Sequence, residues 1–180
     1  AAFFSGCMKA GLTPRDEVDL SALRSLGATG SPLSSDAYDW IYAQVKEDVW
    51  LAPISGGTDL AGAFVLGHPG MPVRAGEMQC RALGNAVRAF DEDGNDLTGV
   101  VGELVCTEPL PSMPLFFWGD DDGSRLHDSY FDTYPGIWRH GDWIEITEDG
   151  GAIIIHAMED DHMSQPIGGA GPRVACGVVN

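Results

Sequence analysis

Two short strand-like runs, Leu23 to Thr29 and the apolar Val49 to Ile54, are each followed at once by a glycine-bearing segment, and a stretch of helix length lies between them. The first run stops at Gly30-Ser31-Pro32 and the second at Ser55-Gly56-Gly57-Thr58-Asp59. In the stretch between, Ser35 can cap a helix over residues 36–46, with Tyr38, Ile41, Tyr42 and Val45 on one side. Strand, turn, helix and strand of these lengths predict a βαβ unit in a largely parallel sheet. Neighbouring parallel strands bring both glycine turns to one carboxyl edge, where open α/β sheets bind ligands. Glycine there lets the backbone approach a flat base or a phosphate, because no Cβ intervenes.

Upstream, residues 3–10 read as a helix ended by Gly11, and Thr13-Pro14 as a cap followed by proline. Beyond Gly67-His68-Pro69-Gly70-Met71-Pro72 the pattern changes. Residues 87–90 run into Asp91-Glu92-Asp93-Gly94, a hairpin signal. Residues 102–107 read as another strand. Residues 143–147 and 152–156 form a second hairpin about Glu148-Asp149-Gly150-Gly151. The expected fold class is α/β: a partial parallel α/β subdomain over residues 1–70, then a small antiparallel β subdomain over 71–156. Residues 157–180 show no periodicity and read as an irregular tail.

A chain of 180 residues with 44% hydrophobic content is long and apolar enough for a real core. Its 27 acidic against 10 basic residues leave a formal charge of −17, which removes the basic footprint of a nucleic-acid binder. Such a surface also repels polyphosphates at long range, so a nucleotide site must act through local backbone donors and a divalent cation. Cys7, Cys80, Cys106 and Cys176 form no CxxC pair and read as scattered reduced thiols of a cytoplasmic protein. No apolar run approaches the ~20 residues of a membrane span, so no membrane partner is expected. The opening Ala1-Ala2-Phe3-Phe4 reads as the middle of a helix within a longer protein rather than as a signal peptide. No feature fixes an oligomeric state.

The chemistry-bearing residues are few. Thr58 can offer its hydroxyl to a phosphate, and Asp59 is a hard oxygen ligand suited to Mg²⁺. Asp142, at the end of Trp138-Arg139-His140-Gly141-Asp142, can accept two ribose hydroxyls. Each motif alone is more often a structural turn. Ser55 lacks the Gly-x-Ser-x-Gly context of a nucleophile. Asp120-Asp121-Asp122-Gly123 lacks the spacing of a calcium loop and reads as a solvated turn. His156 and His162, with Asp160 and Asp161, could bind a metal but read rather as a polar tail. Trp118, Trp138 and Trp143 read as core or interdomain packing.

Together these stretches resemble the adenylate-forming acyl-CoA synthetase family, and within it the acetoacetate–CoA ligases. The resemblance runs over about residues 1–156. It rests on Gly30-Ser31-Pro32-Leu33, Trp50 through Asp59, Phe90-Asp91-Glu92-Asp93-Gly94, Gly102-Glu103-Leu104, Thr107 through Trp118, Asp128-Ser129-Tyr130-Phe131 and Trp138 through Trp143. It implies a central fragment, an incomplete adenylate-forming N-terminal domain. ATP, Mg²⁺ and coenzyme A would be its cofactors, and acetoacetate or a similar short oxoacid its substrate. By resemblance, Gly30, Ser31 and Pro32 border adenine. Ser55, Gly56, Gly57 and Thr58 wrap the nucleotide and its phosphates. Thr58 and Asp59 take the catalytic positions, Asp59 stands where many members carry the magnesium-binding glutamate, and Asp142 holds the ribose.

Acetate-specific relatives carry tryptophan at the position of Gly56, so glycine there is expected to leave room for a four-carbon acid. The family's phosphate loop and its lysine-bearing C-terminal domain are not matched within the sequence. Where the family has Gly-Arg-Ser-Asp, this chain reads Ala157-Met158-Glu159-Asp160-Asp161. The expectation is therefore a ligase segment without turnover of its own. The alternative is a non-catalytic nucleotide-binding or self-associating remnant.

Overall fold

The computed structural model describes residues 1–155. Helix α1 (Ala2–Lys9) and the short α2 (Pro14–Glu17) precede strand β1 (Ser25–Ala28). Helix α3 (Ser35–Trp40) follows, and a π-helical turn over Ile41–Val45 continues it into strand β2 (Trp50–Pro53). β1 and β2 pair in parallel, Ser25 opposite Trp50 through Ala28 opposite Pro53. The βαβ unit is thus present.

Its helix differs in detail from the expectation. The cap is Ser34, whose Oγ accepts the Ala37 N–H at 3.4 Å, rather than Ser35. The last turn widens, so that Lys46 N bonds Ile41 O at 3.1 Å, five residues back. Tyr38, Ile41 and Val45 still face inward. They form one core with Phe4, Leu33, Val49 and Leu51. Each fully buried aliphatic side chain in it contributes about 1.5–3 kcal/mol.

The second half is antiparallel. Strands β3 (Ser55–Gly57), β4 (Gly62–Leu66) and β5 (Cys80–Arg81) form one sheet. Strands β6 (Val87–Phe90), β7 (Asp96–Leu97), β8 (Val101–Cys106), β9 (Trp138–Ile146) and β10 (Ala152–Ile155) form another, in the order β10-β9-β8-β6-β7. Both expected hairpins are there. The first is closed by the Asp91 carboxylate, whose Oδ1 accepts the N–H groups of Asp93 and Asn95. Helix α4 (Ser124–Tyr130) enters from Asp120-Asp121-Asp122-Gly123. That run is a helix entry as well as a turn, for Asp120 is buried and accepts the N–H groups of Arg125 and Leu126, each at 3.0 Å.

The packing changes hands before the glycine–proline segment 67–72. Leu60, Phe64 and Val65 already share the core of Val87, Leu104, Trp138, Ile144 and Ile154. Gln79, buried, joins the halves: its Oε1 accepts from Trp50 Nε1 at 3.0 Å and from His68 N at 2.9 Å. Of the three tryptophans expected in packing roles, Trp138 is buried, whereas Trp118 is 88% and Trp143 42% exposed. Trp118 lies in the loop before α4, beside exposed Leu115 and Phe116, so its environment among the described residues is solvent. Cys7 and Cys106 are buried free thiols and Cys80 is partly buried. The expectations for residues 156–180, including His156, His162 and Cys176, lie outside the described residues.

Candidate functional site

The carboxyl ends of β1 and β2 open into a cleft of about 320 Å³. Residues 28–33 form one wall and residues 53–58 the next. A third wall is Gly76-Glu77-Met78, and Asp142 and Ile154 reach in from β9 and β10. Gly30, Ser31, Pro32, Ser55, Gly56, Gly57, Thr58 and Asp142 all line this one cavity. The third wall is clipped at Glu77 and at Met78. The Tyr38 phenol donates to Glu77 O at 3.1 Å, and Met78 exchanges two backbone bonds with Ala152. Burial pushes the Tyr38 hydroxyl up to about 12, with charge on Tyr42 adding to the effect.

The two glycine motifs differ from the turns expected of them. Gly30 is a true turn residue, with φ +87°. Gly56 and Gly57 instead belong to β3, and the register of β3 on β4 shifts between Ser55 and Gly56. A Cβ on Gly56 would lie 2.6 Å from Ala63 Cα and 2.9 Å from the Gly62 carbonyl carbon. Glycine at 56 is therefore required by the close approach of β4, a reason separate from room for an acyl group. The turn proper is Thr58 to Ala61, and Ala61 takes φ +50°.

Trp138 to Asp142 is also strand rather than turn. On β8, Glu103 pairs with Trp143 and Val105 with Arg139, so three residues of β9, His140, Gly141 and Asp142, stand against Leu104 alone. This is a bulge, and Gly141 at φ +90° supplies the left-handed residue it needs. The bulge takes Asp142 out of the ladder toward the cleft. His140, packed edge-on against Phe64 at 4.6 Å, places Nε2 3.6 Å from Asp142 Oδ2.

Asp59 stands apart from the other expected residues. It is outside the cleft lining. Its Oδ2 accepts the Tyr130 hydroxyl at 2.7 Å, and its Oδ1 accepts Leu60 N at 3.0 Å. Tyr130 in turn stacks on Trp138, centroids 3.6 Å apart. Sequence reasoning missed His140, Glu77 and Tyr38, each of which reads as an ordinary strand, loop or helix-core position until the sheets assemble.

An acetoacetyl-coenzyme A synthetase of Rhizobium meliloti (strain 1021) is 46% identical over 160 residues, 89% of this chain. The chain is similar over most of its length to one segment of the acyl-CoA synthetases. The acetoacetyl-CoA synthetase of Mus musculus is 42% identical over 149 residues, 83% of this chain. A solved acetoacetyl-CoA synthetase from Streptomyces lividans superposes on 85% of the chain with a TM-score of 0.79 and 48% identity. An anthranilate CoA ligase solved in complex with anthranoyl-AMP shares the fold, with a TM-score of 0.63, 22% identity and 79% of the chain covered. The chain spans about a quarter of the length of these relatives: 24% of the first, 22% of the second, and 24% and 26% of the two solved chains.

Residues 122–179, about a third of the chain, match the family described as copper/zinc superoxide dismutase (SODC). The described part of that span holds two histidines. His127 lies on the surface with Asp128 and Asp132, and His140 lies against Phe64 beside Asp142. These described residues supply no clustered imidazole set that fits a copper or zinc centre.

Proposed function

We propose that the cleft binds an adenine nucleotide, and that the chain is the nucleotide-holding segment of an ATP-dependent acid–CoA ligase acting on acetoacetate or a similar short oxoacid. In that reaction the acid's carboxylate attacks the α-phosphorus of ATP, pyrophosphate leaves, and the acyl-adenylate passes its acyl group to the thiol of coenzyme A, releasing AMP. The observation that carries the reading is the meeting of Gly30-Ser31-Pro32, Gly56-Gly57-Thr58 and Asp142 around one cavity.

In this reading Gly30-Ser31-Pro32 borders the adenine. The bare backbone of β3 lets the nucleotide lie close, and Asp142 accepts from the ribose hydroxyls. The Thr58 hydroxyl donates to a phosphate oxygen. Mg²⁺ would supply the positive charge that this acidic chain lacks near the phosphates. Asp59 is its candidate ligand, since each oxygen of an ionised carboxylate keeps a lone pair beyond the bonds to Tyr130 and Leu60. A cytoplasmic location accords with this substrate set and with the free thiols.

A chain spanning 24% of its relative is not expected to hold every group the reaction needs. ATP–pyrophosphate exchange with acetoacetate should therefore be absent from these 180 residues, while calorimetry should register AMP or Mg-ATP in the cleft. Exchange at the rate of a complete ligase would overturn the first expectation. Heat of binding left unchanged by Asp142→Ala would overturn the site. No binding at all would leave the second reading, a self-associating remnant, for which sedimentation gives the answer.

A further inference from the structure

Asp142 reaches the cleft only because β9 is bulged, and one buried carboxylate on the neighbouring strand holds that bulge in shape. Glu103 is buried on β8, with its side chain on the face opposite Leu104, next to Val105. Its Oε1 accepts the Gly141 N–H at 2.9 Å. Its Oε2 pairs with Arg139 Nε at 3.1 Å. Both partners lie within the bulge or at its edge, and Gly141 immediately precedes Asp142. A bulge leaves at least one backbone N–H without its ladder acceptor, and here the Glu103 carboxylate takes that role. A buried carboxylate needs charge and donors around it. Arg139 and Gly141 supply both, so the three groups fix one another.

We infer that Glu103 is a positioning residue: by binding Gly141 N–H and Arg139 it sets the bulge geometry that aims Asp142 into the cleft. The inference adds to the nucleotide reading in one respect, that Asp142 is the group whose aim matters to a ligand. Glu103 itself is not among the residues that line the cleft. It acts through the backbone from the far side of the sheet.

The test uses the whole 180-residue chain, labelled with ¹⁵N, and AMP alone as the probe. In the parent protein the Gly141 amide should resonate far downfield and resist exchange, as an N–H donated to a charged carboxylate does. Glu103→Gln keeps an oxygen acceptor but removes the charge, so this resonance should move part of the way upfield with the fold intact. Glu103→Ala should move it fully and remove its protection. AMP affinity should fall about tenfold in Glu103→Ala, the scale of one charge-assisted hydrogen bond. The loss should not add to that of Asp142→Ala in the double variant, because both changes remove the same contact.

A merely structural glutamate would lower stability without this coupling. An unmoved Gly141 amide in both variants, or fully additive losses of affinity, would overturn the inference. If Glu103→Ala does not fold, Glu103→Gln alone decides it by the amide shift. If the parent does not bind AMP, the nucleotide reading fails, and the Gly141 resonance still decides whether Glu103 sets the bulge.

Discussion

The Tyr130 hydroxyl donates to Asp59 Oδ2 at 2.7 Å across 71 residues of sequence, tying α4 to the turn that follows β3. The same ring lies flat on Trp138, with planes 14° apart. The turn carrying Thr58 is thus braced from beneath by the strand that carries Asp142. Tyr130→Phe keeps the stack and removes only the hydroxyl, leaving a half-buried carboxylate to find water. The expected cost is about 1.5 kcal/mol, the low end for hydrogen bonds to charged groups. Urea unfolding monitored by tryptophan fluorescence measures it, and a change within error of zero would mean that water replaces the phenol in full.

Gly56 of the cleft wall and Gly141 of the β9 bulge are needed for different reasons, and alanine separates them. At Gly56 a Cβ meets the backbone of Gly62 and Ala63, which cannot rotate away. At Gly141 nothing lies within 4 Å, and only the φ of +90° opposes a side chain. Gly141→Ala should cost about 1–2 kcal/mol, the penalty of a left-handed L-residue. Gly56→Ala should cost more, about 2–3 kcal/mol, as overpacking against backbone does. The order of the two midpoints in denaturant checks this. It follows that Gly56→Trp is expected to separate β3 from β4 before it reshapes any acyl pocket.

The cleft's third wall is also tied to the β9–β10 turn. Arg74 pairs with Glu77 at 3.6 Å and with Asp149, and Thr147 donates to Asp149 Oδ1 at 2.6 Å. Together they hold the Asp149 carboxyl at about 2, below its ordinary 3.8, with the threonine hydrogen bond the larger cause and the arginine next. A depressed folded value contributes stability that is present above pH 3.8 and lost as pH falls through about 2. Asp149→Asn should therefore lower the neutral plateau modestly and flatten the acid limb of a thermal-stability profile, so that variant and parent converge as pH falls through about 2. The group is exposed, so added salt should shrink the difference.

The parts legible from sequence were those governed by local pattern. Runs 23–29 and 49–54 became β1 and β2, paired in parallel; β2 is apolar and buries Leu51 and Pro53, whereas of β1 only Ala28 is buried. Asp91 and Gly94 announced a hairpin through short-range hydrogen bonds. The parts not legible depend on partners far along the chain. Gly56-Gly57 looks like a turn because glycine weakens a strand, yet β4 passes so close that only glycine can pair there. Gly141 looks like a turn because its φ is positive, yet β8 holds it within a nine-residue strand. Glu103 sits at an alternating strand position where a carboxylate normally meets water. The bond from Tyr130 to Asp59, 71 residues away, has no signal in the sequence around either residue.

Tyr38 links the core of the parallel unit to the cleft, and its ionisation should therefore be felt there. The ring is 2% exposed and its hydroxyl is bonded to Glu77 O. Burial disfavours the phenolate, so the folded value of about 12 exceeds the ordinary 10. A raised folded value gives stability that is fully present below pH 10 and lost as pH rises through about 12. The two-unit difference corresponds to roughly 2–3 kcal/mol. Tyr42 and Tyr134 are also raised by burial, so they share the alkaline limb, with the larger part belonging to Tyr38. Tyr38→Phe should then hold its stability through this range better than the parent, while starting lower at neutral pH because the bond to Glu77 is gone. Thermal melts from pH 8 to about 12, read beside tyrosinate absorbance, check both halves. An alkaline limb identical in parent and Tyr38→Phe would show that the phenolate forms without disturbing the wall of the cleft.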